Sequence, residues 1–105
     1  MQLLTKEIID RLPALYATQT EKDPMAWVKF FTPDSCWTWY ILEGEEKDDG
    51  NWLFFVYVEG IYEEYGYVTL RELENARGQL GLKIERDIHF LPKPISEIRK
   101  KKQAS

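Results

Sequence analysis

The amino-acid sequence predicts an α+β domain: an antiparallel, mostly meander sheet of four to five strands with two to three short helices packed mainly on one face. Three observations lead there. Four runs rich in aromatic and β-branched residues follow one another between residues 26 and 69, joined by connections too short for crossovers, so neighbouring strands must run antiparallel. Helical patterns come before this block and after it rather than alternating with it, which excludes a βαβ fold. The chain has 105 residues, enough for one core and rarely enough for two. Residues 1–98 are expected to form the domain, and 99–105 a basic, frayed tail.

The first element is an amphipathic helix. Leu4, Ile8, Ile9, Leu12, Leu15 and Tyr16 recur at helical spacing among charged residues, and Thr5 is placed to cap it. Pro13 either stops the helix near Leu12 or restarts it. Thr18 to Pro24 reads as a loop. Ala26 to Phe31 follows as the first strand, and Thr32-Pro33-Asp34-Ser35 supplies turn residues.

Cys36 to Glu43 forms the second strand, and Trp52 to Glu59 the third. The polar run from Glu43 to Asn51 between them is expected to be an exposed hairpin loop. The third strand is apolar at nearly every position, so both of its faces should be covered. Ile61 to Glu64 turns the chain into a fourth strand, Tyr65 to Thr69. Thr69-Leu70-Arg71-Glu72 then matches a capping box, opening a helix from Leu70 to Arg77 that Gly78 should end. A last strand is expected within Gly81 to Phe90. A final helix from Ile95 follows Pro92 and Pro94 and runs into the charged tail.

Composition narrows the function classes. The formal net charge of −4 becomes −8 once the four positive charges of Arg99, Lys100, Lys101 and Lys102 are set aside, so the folded body is acidic. Such a body repels phosphates, and nucleic-acid contact is left to that tail. Cys36 is the single cysteine, which excludes an intrachain disulfide or a thiolate metal cluster. The amino-terminal residues lack a signal-peptide layout, and no apolar run approaches the roughly 20 residues of a membrane span. A cytoplasmic protein without membrane contact is expected, and no cofactor is implied.

Four groups of residues carry potential chemistry. Pro33-Asp34, followed after ten residues by Glu45-Glu46-Lys47, has the literal pattern of a metal-dependent nuclease site, but both parts fall in expected turns. Glu85, Asp87 and His89 alternate along one expected strand, with Cβ atoms about 7 Å apart on one face; one imidazole is thin provision for a transition metal. Glu59, Glu63 and Glu64 lie beside Tyr62, Tyr65 and Tyr67 at a strand end, where solvated carboxylates cost little. Trp37 and Trp39 share one strand face, opposite Thr38 and Tyr40. Aromatic residues on an exposed sheet face mark protein interfaces, whereas stacking of nucleobases needs a basic surround that this body lacks.

The arrangement Leu4-Thr5-Lys6-Glu7-Ile8, Leu12-Pro13, Asp23-Pro24, Val28-Lys29-Phe30-Phe31 and Trp37-Thr38-Trp39-Tyr40 resembles the bacterial domain-of-unknown-function family numbered 2958. The resemblance continues through Val58-Glu59-Gly60, Glu64-Tyr65-Gly66-Tyr67, Arg77-Gly78, Ile84-Glu85-Arg86-Asp87 and Pro92-Lys93-Pro94, covering nearly the whole chain in order. It agrees least from Glu45 to Asn51. The resemblance implies a small stand-alone domain often carried on plasmids and other mobile elements. It brings no catalytic residues with it.

Together these readings favour a non-enzymatic interaction module that binds a protein partner through Trp39, Glu59, Glu63, Glu64, Tyr65, Tyr67 and Arg86. The competing expectation is a small metal-dependent enzyme acting on nucleic acid or a phosphoester, using Glu85, Asp87 and His89 or the set Asp34, Glu45 and Lys47.

Overall fold

The computed structural model describes residues 1–103. Its elements are α1 (Lys6–Arg11), β1 (Met25–Ala26), β2 (Val28–Phe31), β3 (Thr38–Glu46), β4 (Trp52–Glu59), β5 (Glu63–Thr69), α2 (Leu70–Asn75), β6 (Glu85–Arg86), β7 (Lys93–Pro94) and α3 (Ile95–Gln103). Five strands form one antiparallel sheet in the order β5-β4-β3-β2-β6, and β1 pairs with β7 in a second small ribbon. The meander from β2 to β5 is the expected one. The chain then returns through α2 to place β6 on the far edge beside β2.

The sheet has two unlike faces. On one, Val28, Phe30, Ile41, Phe54 and Val56 are buried together with Leu3, Leu4, Leu73 and Ile84, and Ile8, Leu12 and Leu70 pack against them. This core lies beneath α1 and α2. On the other face Tyr40, Leu42 and Tyr57 are buried against Ala26 and against Ile95 and Ile98 of α3. Two helices therefore cover one face, and the third covers the inner part of the other.

Local signals explain the helix ends. The Thr5 hydroxyl accepts the Ile8 N–H at 3.3 Å, and the residue before Pro13, Leu12, is extended as proline demands. Helix α1 therefore stops at Arg11, and the inward positions expected for Ile9 and Tyr16 are not realised; both side chains are exposed. The capping box is complete: Thr69 Oγ1 accepts Glu72 N–H at 3.2 Å, and Glu72 Oε1 accepts Thr69 N–H at 2.9 Å. Helix α2 ends at Asn75, before Gly78. Gly78 serves instead for close approach, since a Cβ there would overlap the Asp34 carboxylate, which accepts from Leu80 and Leu82 N–H.

Three strand expectations need correction. Ala26 to Phe31 is not one strand: Met25 and Ala26 leave the main sheet to pair with Pro94 and Lys93. The last strand holds only Glu85 and Arg86, because Asp87 folds back to accept the His89 and Phe90 N–H groups, from its side chain and backbone respectively. The exposed loop expected from Glu43 is shorter. Strand β3 runs on to Glu46, pairing through to Trp52, and Glu43 is only 3% exposed. At the carboxyl end, α3 includes Arg99 and Lys100; the side chains of Lys101 and Lys102, and residues 104 and 105, lie outside the described residues.

A single irregularity in β3 accounts for Glu43. Ile41 pairs with Val56 but Glu43 pairs with Phe55, so Leu42 is one residue too many. This β-bulge turns Glu43 onto the face of Phe55 and Tyr57 instead of the α1/α2 core.

Candidate functional site

The bulge places a carboxylate beneath the loop that follows α1. Glu43 Oε1 accepts the Tyr16 N–H at 2.8 Å, and Oε2 accepts both the Thr18 N–H at 2.9 Å and the Thr18 hydroxyl. Gly44 N–H donates to Pro13 O at 3.0 Å, so the loop lies along the part of β3 that extends beyond its pairing with β2. A Cβ on Gly44 would press on Leu12 and Phe54, which explains glycine in mid-strand. Buried carboxylates need such partners; three donors here replace the lost water.

That anchoring holds Tyr16 in an uncommon conformation. Its φ is +70°, the left-handed region that a bulky L-residue rarely enters. Tyr16 is the sole non-glycine residue with positive φ among those described. Its ring is 62% exposed and stands at the rim of a groove of about 370 Å³ shared with Glu21, Lys22, Glu43, Phe55, Tyr65 and Tyr67. Residues held in strained backbone conformations cluster at active sites, ligand clamps and switch regions.

Behind the groove runs a chain of rings on one sheet face. Successive centroids are 5.9 Å apart for Phe90–Tyr40, 6.1 Å for Tyr40–Tyr57, 5.2 Å for Tyr57–Tyr65, 5.8 Å for Tyr65–Phe55 and 5.2 Å for Phe55–Tyr67. Burial is deepest at Tyr40 and Tyr57, which α3 covers, and least at the two β5 rings. Tyr65 and Tyr67 are 44% and 53% exposed. Burial, followed by the hydrogen bond its hydroxyl donates to Glu63 at 3.0 Å, pushes the Tyr57 phenol up to about 12. Burial and the neighbouring Glu59 raise Tyr40 too. Slight desolvation and nearby Tyr16 and Glu43 raise Tyr67. These phenols are neutral, hydrogen-bonding groups rather than bases.

The residues expected to bind separate into three places. Glu59, Glu63, Tyr65 and Tyr67 share the ring face, as strand pairing of Glu59 with Glu63 and of Tyr57 with Tyr65 requires. Glu64 points to the opposite face beside Val58. Trp39 also belongs there, stacked on Trp37 at 6.3 Å and packed against the α1/α2 core. Arg86 is occupied elsewhere: its guanidinium donates to Gln2 O at 2.7 Å and Leu3 O at 3.1 Å, tying down the amino-terminal segment.

Neither metal-type set forms a ligand cluster among the described residues, although Glu85, Asp87 and His89 border one groove of about 490 Å³. Asp87 makes a 3.7 Å ion pair with Lys29 and closes its own turn, while Glu85 sits in β6. Asp34 fastens the loop at Leu80, whereas Glu45 pairs with Lys47 at 2.6 Å toward the other end of β3, some 20 Å away by strand rise. Among the described residues, no group of three or more His, Cys, Asp or Glu side chains is placed to hold a metal ion. A wider depression of about 800 Å³ borders Lys29, Tyr40, Glu59, His89 and Lys93, where one buried Glu59 oxygen has no hydrogen-bond partner. Lys29 and Lys93 already lie over the Tyr40 and Phe90 rings, at 6.0 and 5.3 Å.

Tyr16, Glu43 and Phe55 are the site residues that pattern reading misses. Gly44 is the nearest signal, since a strand glycine marks a bulge or a close approach, but in the polar run from Glu43 it reads as loop. No helix of the described residues is long and apolar enough to cross a membrane. Neither a curated protein nor a solved structure matches the chain. Residues 3–104 do match the family described as Protein of unknown function (DUF2958), and this chain belongs to that family.

Proposed function

We propose that the protein is a cytoplasmic interaction module, and that it binds a protein partner through the groove where Tyr16, Phe55, Tyr65 and Tyr67 meet. One observation carries the reading: rings that are packed together yet open to solvent surround a groove whose strained rim is held by a buried carboxylate. Preformed aromatic anchors of this kind supply much of the energy in protein interfaces, with little entropy lost on docking. Glu21 at the groove and Glu59 and Glu63 farther along the same face suit a partner segment that offers an apolar side chain flanked by basic residues.

The formal charge of −8 on the body without its four basic tail residues supports a role in which an acidic surface competes for a basic site on the partner, as a nucleic-acid mimic would. Such competition fits counter-defence or maintenance of a mobile element.

Affinity capture from the native host tests the proposal. The wild-type chain should retain a partner that Tyr67→Ala loses and Trp39→Ala keeps, with the Trp39→Ala protein first shown to be folded by its thermal transition. Absence of any partner, or retention that ignores Tyr67→Ala, would sink it.

A further inference from the structure

From Glu64 to Val68, the outer side of β5 is the longest stretch of sheet edge with no described strand beside it. All seven of its residues pair with β4 in unbroken register, and no described strand lies on its other side. Edge strands usually carry a guard: proline, a bulge, a lysine or great brevity. The opposite edge, β6, has the last of these, being two residues long. Strand β5 has no proline, no lysine and no bulge, and its only charges are Glu63 and Glu64 at one end.

Tyr65 and Tyr67 flank Gly66 symmetrically, and beyond them the acidic Glu63-Glu64 end differs from the neutral Val68-Thr69 end. We propose that a second copy of the chain pairs antiparallel along β5, with Gly66 opposite Gly66 on the two-fold axis. Tyr65 of each copy then faces Tyr67 of the other, Glu64 faces Val68 and Glu63 faces Thr69. Charge selects this arrangement. Parallel pairing sets the two Glu63-Glu64 ends side by side, and slipping toward the amino-terminal end brings Glu64 against Glu64; both juxtapose like charges. Slipping the other way shortens the ladder, because the chain turns into α2 at Leu70. Gly66 leaves the axis open, with nothing within 4 Å of where its Cβ would lie.

The product is a continuous ten-stranded sheet. Cross-strand Tyr65–Tyr67 pairs join the two Phe55 clusters into one aromatic face, and each groove gains a ring from the neighbouring copy beside its own Tyr67. This pairing uses the strand edge, so it stands apart from the partner proposed above, and either can fail alone.

Sedimentation equilibrium of the full chain over a range of concentrations provides the test. Wild-type mass should rise toward twice that of the monomer. Gly66→Lys and Gly66→Glu each place like charges at the axis and should weaken dimerisation about fivefold or more. An equimolar mixture of the two should recover it, since lysine then faces glutamate. A monomer throughout the wild-type range, a Gly66→Lys mass equal to wild type, or a mixture that fails to recover would overturn the proposal. Should either glycine variant melt early, mixed Tyr65→Cys and Tyr67→Cys copies in a Cys36→Ser background serve instead. They should form a disulfide-linked heterodimer under mild oxidation, and absence of that product counts equally against the pairing.

Discussion

The two faces of the sheet are built from similar residues and do different work. Under α1 and α2, Phe30, Ile41, Phe54 and Val56 are at most 1% exposed and pack in one apolar cluster. On the other face, rings of comparable size form a graded series: Tyr57 is closed over by α3, Phe55 is half-covered, and Tyr67 stands open. The difference lies in what packs above, not in the strands. Hydrophobic content alone therefore does not separate a core from an open aromatic face; covering does.

Mutations should divide along the same line. Phe54→Ala removes a fully buried ring edge-on to Phe30 and should lower unfolding free energy by about 3–5 kcal/mol, read from the denaturant midpoint. If it cost no more than a surface change, the first face would not be the core described. Glu43→Ala leaves the Tyr16 and Thr18 amides without their acceptor and should cost about 2–3 kcal/mol. It should also loosen the Tyr16 rim, so that hydrogen exchange at Tyr16 and Thr18 rises more than at the core strands.

Tyr57→Phe tests the boundary between the faces. Loss of the Glu63 hydrogen bond should cost about 1 kcal/mol near neutral pH. The folded state raises this phenol from 10.0 to about 12. Its contribution is therefore fully present below pH 10 and is lost as pH rises through about 12. The wild type should lose that increment of stability over this window, and Tyr57→Phe should lack it. The smallest effect on stability belongs to the open end: Tyr67→Ala should shift the thermal midpoint little, a change within about 0.5 kcal/mol, while removing partner binding. Such a variant would separate the two faces cleanly.

Much of this layout is legible without coordinates. The β4 segment, the Thr5 cap, the Thr69–Glu72 box and the antiparallel meander all follow from nearest-neighbour chemistry, which acts within a few residues and survives any packing. The exposed tyrosines of β5 were legible as a candidate patch for the same reason. Glu43 was not. Its place in an acidic run suggested solvent, and a one-residue bulge reverses which face every later residue of a strand takes. Arg86 was expected to bind a partner, but its guanidinium holds the amino-terminal segment instead.

By itself, then, the sequence determined the three helices, the central strands β2 to β5 in outline and their antiparallel order, because periodicity, caps and short turns are local. Only the tertiary structure decided where α3 ends its cover, that Tyr16 is locked over Glu43, and that β5 is left as an open edge. Those outcomes depend on register and on contacts between residues far apart in the chain, where a shift of one position changes the neighbour and hence the chemistry.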